Sequence, residues 1–195
     1  MTASSTHIPS SIIEESRFKK IDENTSLHFP RYEFAEAIFE AVAANRAYLG
    51  KWLIWVEHTK EVKHTYNFIG ESLKYLEGGQ RLPTIIFHQN AVAGSIGFVR
   101  IDKANRKGEI GYWLRADLQG KGIMTKACKA MITHAFEELG LNRIEIKASA
   151  ENFPSRAIPE RLGFQQEALL RQDTFKNEQF EDTLVYGLLK KDYLS

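Results

Sequence analysis

LRADLQGKGIMTKACKAMITHAFEELG, residues 114–140, is the stretch whose reading decides the fold of this 195-residue chain. Its first half holds Gly120 and Gly122 with Lys121 between them, and its second half runs without glycine to Gly140. In that second half Met124, Cys128, Met131, Ile132, Ala135 and Leu139 recur at helical spacing on one face. Lys126, Lys129, Thr133 and Glu137 take the other face. The spacing predicts a long amphipathic helix with Gly140 as its C-cap. Glycines at its mouth set a permissive backbone against unpaired N–H groups that carry roughly half a positive charge. That combination suits an anion, phosphate above all, and Lys121 adds a charge. The plainer alternative is a tight turn before a helix. The spacing is not that of a P-loop, which needs Gly-Lys-Ser/Thr, nor of a dinucleotide fingerprint, which needs a third glycine.

The flanks extend the pattern. GEIGYWLR (108–115) before it reads as a strand, and NRIEIKASA (142–150) after it alternates Ile144, Ile146 and Ala148 against Arg143, Glu145 and Lys147. Strand, helix and strand together predict a parallel crossover. Upstream, LPTIIFHQ (82–89) and AVAGSIGFVRI (91–101) read as strands around Gln89-Asn90, and the loop DKANRK (102–107) leads on, as in an antiparallel meander. Earlier still lie two helices. Phe34, Ile38, Val42 and Leu49 share one face of the first. Val62, Tyr66, Ile69, Leu73 and Leu76 stripe the second, with Thr59 as expected N-cap and Gly78-Gly79 as stop. Downstream, SRAIPERLG (155–163) reads as a short helix, in which Pro159 costs a hydrogen bond unless it lies in the first turn. Strands at 164–175 and 180–194 close the chain around the turn KNEQ. With one strand ahead of the first helices, the class is α+β with a mixed sheet.

The formal net charge of +1 argues against a large nucleic-acid footprint. The single cysteine excludes an internal disulfide and a multi-cysteine metal site. The histidines show no ligand spacing, so no metal is expected. His134, beside the apolar stripe, reads as structural. No apolar run approaches a membrane span. MTASSTHIPSSIIEES lacks a basic start and apolar stretch, so a cytoplasmic protein is expected, with residues 1–16 a loose extension and 17–195 a single domain.

Gln119-Gly120-Lys121-Gly122-Ile123-Met124 resembles the Gln/Arg-x-x-Gly-x-Gly/Ala signature of the GCN5-related N-acetyltransferase (GNAT) superfamily. Met124 departs from it, as variants do in the branch resembling ribosomal-protein N-terminal acetyltransferases. GEIGYWL, Asn152, Ser155, Arg156, ERLGF (160–164) and LVYGLLKKDYL (184–194) carry the resemblance over roughly residues 20–195. It implies a mixed, mostly antiparallel, seven-stranded sheet with helices on both faces. It also implies acetyl-CoA as co-substrate. The amides of Gly120, Lys121, Gly122, Ile123, Met124 and Thr125 would hold the pyrophosphate, with Gln119 and Arg156 among the cofactor-binding residues. The strand before the loop would bulge and splay from the next. Pantetheine would lie between Trp113–Leu114 and Ala148–Asn152, with Asn152 on its amides.

Acetyl transfer needs a neutral amine, a stabilised oxyanion and a protonated leaving thiolate. An α-amine titrates at about 8 and a lysine at about 10.4, so a peptide N-terminus needs less help. Glu109 is the first candidate base by resemblance, its alternative a structural carboxylate. Asp173 is the second, although Thr174 aligns as easily. Ser155 is the candidate acid, its alternative a plain helix cap. A backbone N–H near Leu114 would meet the oxyanion. Cys128, on the apolar face, reads as core packing rather than nucleophile. Trp52, Trp55, Tyr112 and Phe175 form an expected acceptor wall, unless Trp52 and Trp55 are simply core. The expected acceptor is a protein or peptide N-terminus. Small amines (polyamine, aminoglycoside or amino acid) and a non-catalytic acyl-CoA sensor stay open, as do monomer and homodimer.

Overall fold

The structure, a computed structural model, describes residues 8–193. Residues 1–7 of the expected extension lie outside them. The rest of that stretch is packed: Ser10–Glu15 form helix α1, and Ile8 and Ile13 are buried. Where one first strand was expected there are two, β1 (Arg17–Lys20) and β2 (Thr25–His28). Between them Asp22 accepts a hydrogen bond from the Asn24 N–H at 3.0 Å, an Asx turn that reverses the chain. Helices α2 (Ala35–Ala44), α3 (Arg46–Leu49), α4 (Trp55–His58) and α5 (Val62–Glu77) follow. Next come β3 (Leu82–His88), β4 (Ala91–Asp102), β5 (Lys107–Leu114), α6 (Ile123–Glu137), β6 (Arg143–Ser149) and α7 (Phe153–Arg161). The chain closes with β7 (Gln165–Lys176), β8 (Gln179–Leu189) and α8 (Lys190–Tyr193).

The fold is mixed α+β. Among the described residues one sheet of eight strands, one more than expected because of the β1–β2 hairpin, runs β1-β2-β3-β4-β5-β6-β8-β7. Within it only β5 and β6 pair in parallel, as the crossover through α6 requires. Helices cover both faces. On β3, Ile85 and Phe87 meet α2 and α5 through Ile38 and Ile69, while Ile86 between them joins the core under α6. That alternation is the two-residue period of a strand buried on both sides. On α6, Met124, Cys128, Met131, Ile132 and Ala135 are buried as expected, whereas Leu139 lies past the helix end and is partly exposed. No helix among the described residues is long and apolar enough to cross a membrane.

The N-cap of α5 is Glu61, not Thr59. The Glu61 carboxylate accepts from the His64 amide, and His64 Nδ1 accepts from the Glu61 N–H at 3.1 Å. The Thr59 hydroxyl instead donates to the Trp55 carbonyl at 3.1 Å. The buried face of α5 is rotated accordingly, toward Thr65, Ile69 and Ser72, and Tyr66 is left 41% exposed.

His28 is buried in the core beside Phe34 and Phe87. The Ser16 hydroxyl donates to the Ile13 carbonyl, so His28 Nδ1–H donates to Ser16 Oγ (3.1 Å) and Nε2 accepts from Ser26 (2.7 Å). Desolvation lowers its pKa from 6.5 to about 4. Between those values the unfolded chain binds a proton here that the folded chain refuses. Stability therefore rises with pH across that window and is lost as pH falls through it. His28→Gln is expected to flatten the dependence of Tm on pH between 6.5 and 4; an unchanged slope in calorimetry would refute the assignment.

Candidate functional site

β5 and β6 pair only from Lys107–Arg143 to Ile110–Ile146. Beyond that, β5 stays with β4 as far as Leu114, and β6 stays with β8 as far as Ser149. The two strands part, and a cleft opens between them. The bulge expected on the strand before the loop lies instead on its neighbour: Val99 of β4 is the extra residue between the pairs Phe98–Ile110 and Arg100–Glu109.

The loop from β5 to α6 closes the top of the cleft. The Arg115 N–H donates to the Ala93 carbonyl at 2.9 Å, and residues 116–118 make one 3-10 turn. Gly120 (φ +72°) and Gly122 (φ +73°) then adopt left-handed backbone, Gly122 as the N-cap residue of α6. A Cβ added to either would meet no atom within 4 Å. Glycine is thus demanded by the backbone angle rather than by crowding. Among the described residues no side chain caps α6. The first N–H groups of a 15-residue helix point into the cleft with its dipole behind them.

A cavity of about 660 Å³ fills this space. Of the residues expected at the cofactor, Trp113, Leu114, Gln119, Gly120, Gly122, Ile123, Met124, Thr125 and Asn152 line it, together with Ser155, Tyr112 and Trp52. Lys121 and Arg156 do not. Arg156 donates to the Ala150 carbonyl (2.6 Å) and the Tyr186 hydroxyl (3.3 Å), which bolts α7 to the sheet. Two cations that sequence reading missed stand in the lining instead. Lys126 is anchored by Asp22 at 2.8 Å, and the bond from Lys126 holds that carboxyl down at about 2. Arg161 donates to Thr125 Oγ1 at 3.0 Å. A signal for Arg161 was present: Pro154, Ile158 and Arg161 fall at i, i+4 and i+7 and share a helix face, which Arg156 leaves.

Asn152 is the N-cap of α7, its side-chain oxygen accepting from the Ser155 N–H at 3.3 Å. The capping role considered for Ser155 is therefore filled by Asn152, and the Ser155 hydroxyl is free for other work. It donates to the Tyr112 hydroxyl at 3.3 Å, which in turn donates to the Ser155 carbonyl at 3.0 Å.

The carboxylates are placed elsewhere. Glu109 lines neither this cavity nor the next and pairs with Lys147 at 3.2 Å. Asp173 is exposed on β7. Phe175 packs against Phe180 at the hairpin, with tilted rings, centroids 4.9 Å apart, and lines neither cavity. Cys128 is fully buried beneath α6, and burial pushes its thiol far above the usual range, so it stays a protonated core residue.

On the other face of β5 lies a second cavity, of about 480 Å³, bounded by α5. Its floor is bare because Gly97 and Gly111 face one another in the β4–β5 register. Trp55, Thr65, Phe68 and Ser72 wall it, and Leu53, Tyr112 and Trp113 belong to both cavities. Among the described residues no carboxylate joins its lining; its basic side chains are His64 and Arg81.

The strands part beside an uncapped helix mouth flanked by Lys126 and Arg161, an arrangement with room and positive charge for a long phosphate-bearing arm. Residues 26–165 match the acetyltransferase (GNAT) domain, and the chain belongs to that family. It is 35% identical, over 89% of its length and 96% of the relative's, to YdaF of Bacillus subtilis (strain 168), provisionally named a ribosomal N-acetyltransferase. It is 29% identical to the ribosomal-protein-serine acetyltransferase of Escherichia coli (strain K12), over 86% of this chain and 94% of that one. It superposes with a TM-score of 0.85 on RimL, the ribosomal L7/L12 alpha-N-protein acetyltransferase, in complex with coenzyme A. That match has 26% identity and covers 87% of this chain and 96% of RimL.

Proposed function

We propose that this chain moves the acetyl group of acetyl-CoA onto the α-amino group of a protein N-terminus, with both reactants bound together. One observation carries the reading. The uncapped mouth of α6, the end of β5 and Ser155 line a single cavity, which adjoins a second, acceptor-sized cavity past Trp113. The amides of Gly120 to Thr125 fit a diphosphate, Lys126 and Arg161 add charge, and Asn152 together with the free edges of β5 and β6 fits the amide-bearing arm. The coenzyme supplies an activated acetyl group as a thioester.

The residues then have limited work to do. The amine nitrogen forms a bond to the acetyl carbon as the carbon–sulfur bond breaks. The Ser155 hydroxyl gives its proton to the departing sulfur and regains one from water. A backbone N–H near Leu114 meets the negative oxygen. The amine's own proton goes to water, because no carboxylate among the described residues lines either cavity. That suits an α-amine, roughly a tenth of which is neutral at pH 7, far better than a lysine. Holding the two reactants side by side supplies the remainder of the rate. Glu109→Gln is accordingly expected to change turnover by less than about threefold, since its carboxylate serves Lys147 instead. A loss of tenfold or more, with an altered pH–rate profile, would restore Glu109 as the base.

The acceptor cavity discriminates among amines. A polyamine or aminoglycoside calls for carboxylates, and the described lining has none. Apolar walls with a buried Thr65 hydroxyl that has no hydrogen-bond partner among the described residues suit the first residues of a polypeptide. Release of thiol from acetyl-CoA, measured against peptide N-termini, polyamines and aminoglycosides, tests the reading. Turnover on peptides is expected. Turnover confined to polycations would overturn the acceptor, and tight coenzyme A binding with no turnover on any amine would make the chain a sensor.

A further inference from the structure

Pro159 sits in the second turn of α7, not its first. Four residues earlier stands Ser155, whose carbonyl would accept the N–H of residue 159 in an unbroken helix. Proline has no such donor. The vacant carbonyl is taken by the phenol of Tyr112, which reaches across the cleft from β5 and donates to it at 3.0 Å. The same phenolic oxygen accepts from the Ser155 hydroxyl at 3.3 Å. One side chain thus holds both the backbone and the side chain of one residue on the opposite wall. Burial keeps the phenol protonated well beyond the usual range, so its donor is always present.

We propose that Tyr112 is a positioning residue: held by a carbonyl that Pro159 sets free, it keeps the Ser155 oxygen in place, and its O–H turns to that oxygen when the Ser155 proton passes to sulfur. The proposal rests on Ser155 as proton donor to sulfur, and its test separates the two. Tyr112→Phe leaves a ring of the same shape without the hydroxyl. It is expected to lower kcat about tenfold, with KM for acetyl-CoA changed less than about twofold. It should also lower Tm by about 3–8 °C, the effect of a part-buried carbonyl left without a partner. Pro159→Ala restores the missing N–H. In that background Tyr112→Phe should cost clearly less in Tm, while kcat still falls because the Ser155 oxygen has lost the O–H that meets it once its proton has left. In Ser155→Ala, Tyr112→Phe should add no further loss of kcat.

Unchanged kcat in Tyr112→Phe overturns the positioning role, as does a full additional loss in Ser155→Ala. Equal Tm losses with proline and alanine at 159 overturn the link to Pro159. If Ser155→Ala alone keeps full turnover, the proton-donor reading fails and the positioning role with it. The calorimetric coupling would then still decide whether Tyr112 and Pro159 share the carbonyl.

Discussion

Gly122→Glu raises the Kd for coenzyme A on the order of 100-fold or more, because a carboxylate displaces charge-assisted N–H bonds and adds repulsion. The fold survives the change. A side chain at position 122 enters open space, with no atom within 4 Å of its Cβ. Its only structural cost is left-handed backbone at φ +73°, about 1–2 kcal/mol for a non-glycine residue. Gly122→Ala separates the two effects, since it carries the same strain without the charge. Calorimetric titration should find alanine close to the parent and glutamate without measurable binding, at similar far-ultraviolet circular dichroism. Equal affinities for parent and Gly122→Glu would remove the diphosphate from the mouth of α6.

Ser155→Ala is expected to lower kcat by ~10–1000-fold, the upper part of that range being typical for loss of an acid–base group. KM for acetyl-CoA should move little, because the amides, Lys126 and Arg161 remain. The structure sharpens this expectation. A serine that capped α7 would cost about 1 kcal/mol of stability when removed. Asn152 does that capping, so Ser155→Ala should barely shift Tm while turnover collapses. The opposite pattern, a lowered Tm with normal turnover, would return Ser155 to a structural role.

The sequence made much of this architecture legible because local and global preferences agreed. The period of α6, the glycines before it and the alternation of Ile144, Ile146 and Ala148 each pointed to the element observed. The misses have physical causes. Glu61 and His64 form a reciprocal cap, but neither residue fits the serine- or threonine-led pattern that identifies one in sequence, so Thr59 looked better. Tyr66 counted toward an apolar stripe although α5 rolls toward Thr65 and Ser72, over a floor left bare by two paired glycines. No one-dimensional pattern carries that pairing. Arg156 and Arg161 differ by register on a short helix, and resemblance chose the first where spacing favours the second. Glu109 was placed on the right strand, but its partner Lys147 comes from the next one, and only the parallel register brings them together.

The chain's one cysteine has a practical bearing on all these measurements. Cys128 is sealed at 0% exposure with its proton held, so disulfide-forming dyes should not report on the folded enzyme. Colour developed during turnover then counts coenzyme molecules alone, without a blank from the catalyst. RimL in its complex carries coenzyme A in disulfide linkage to one of its own cysteines. The same seclusion predicts that oxidised coenzyme A leaves the mass of this chain unchanged.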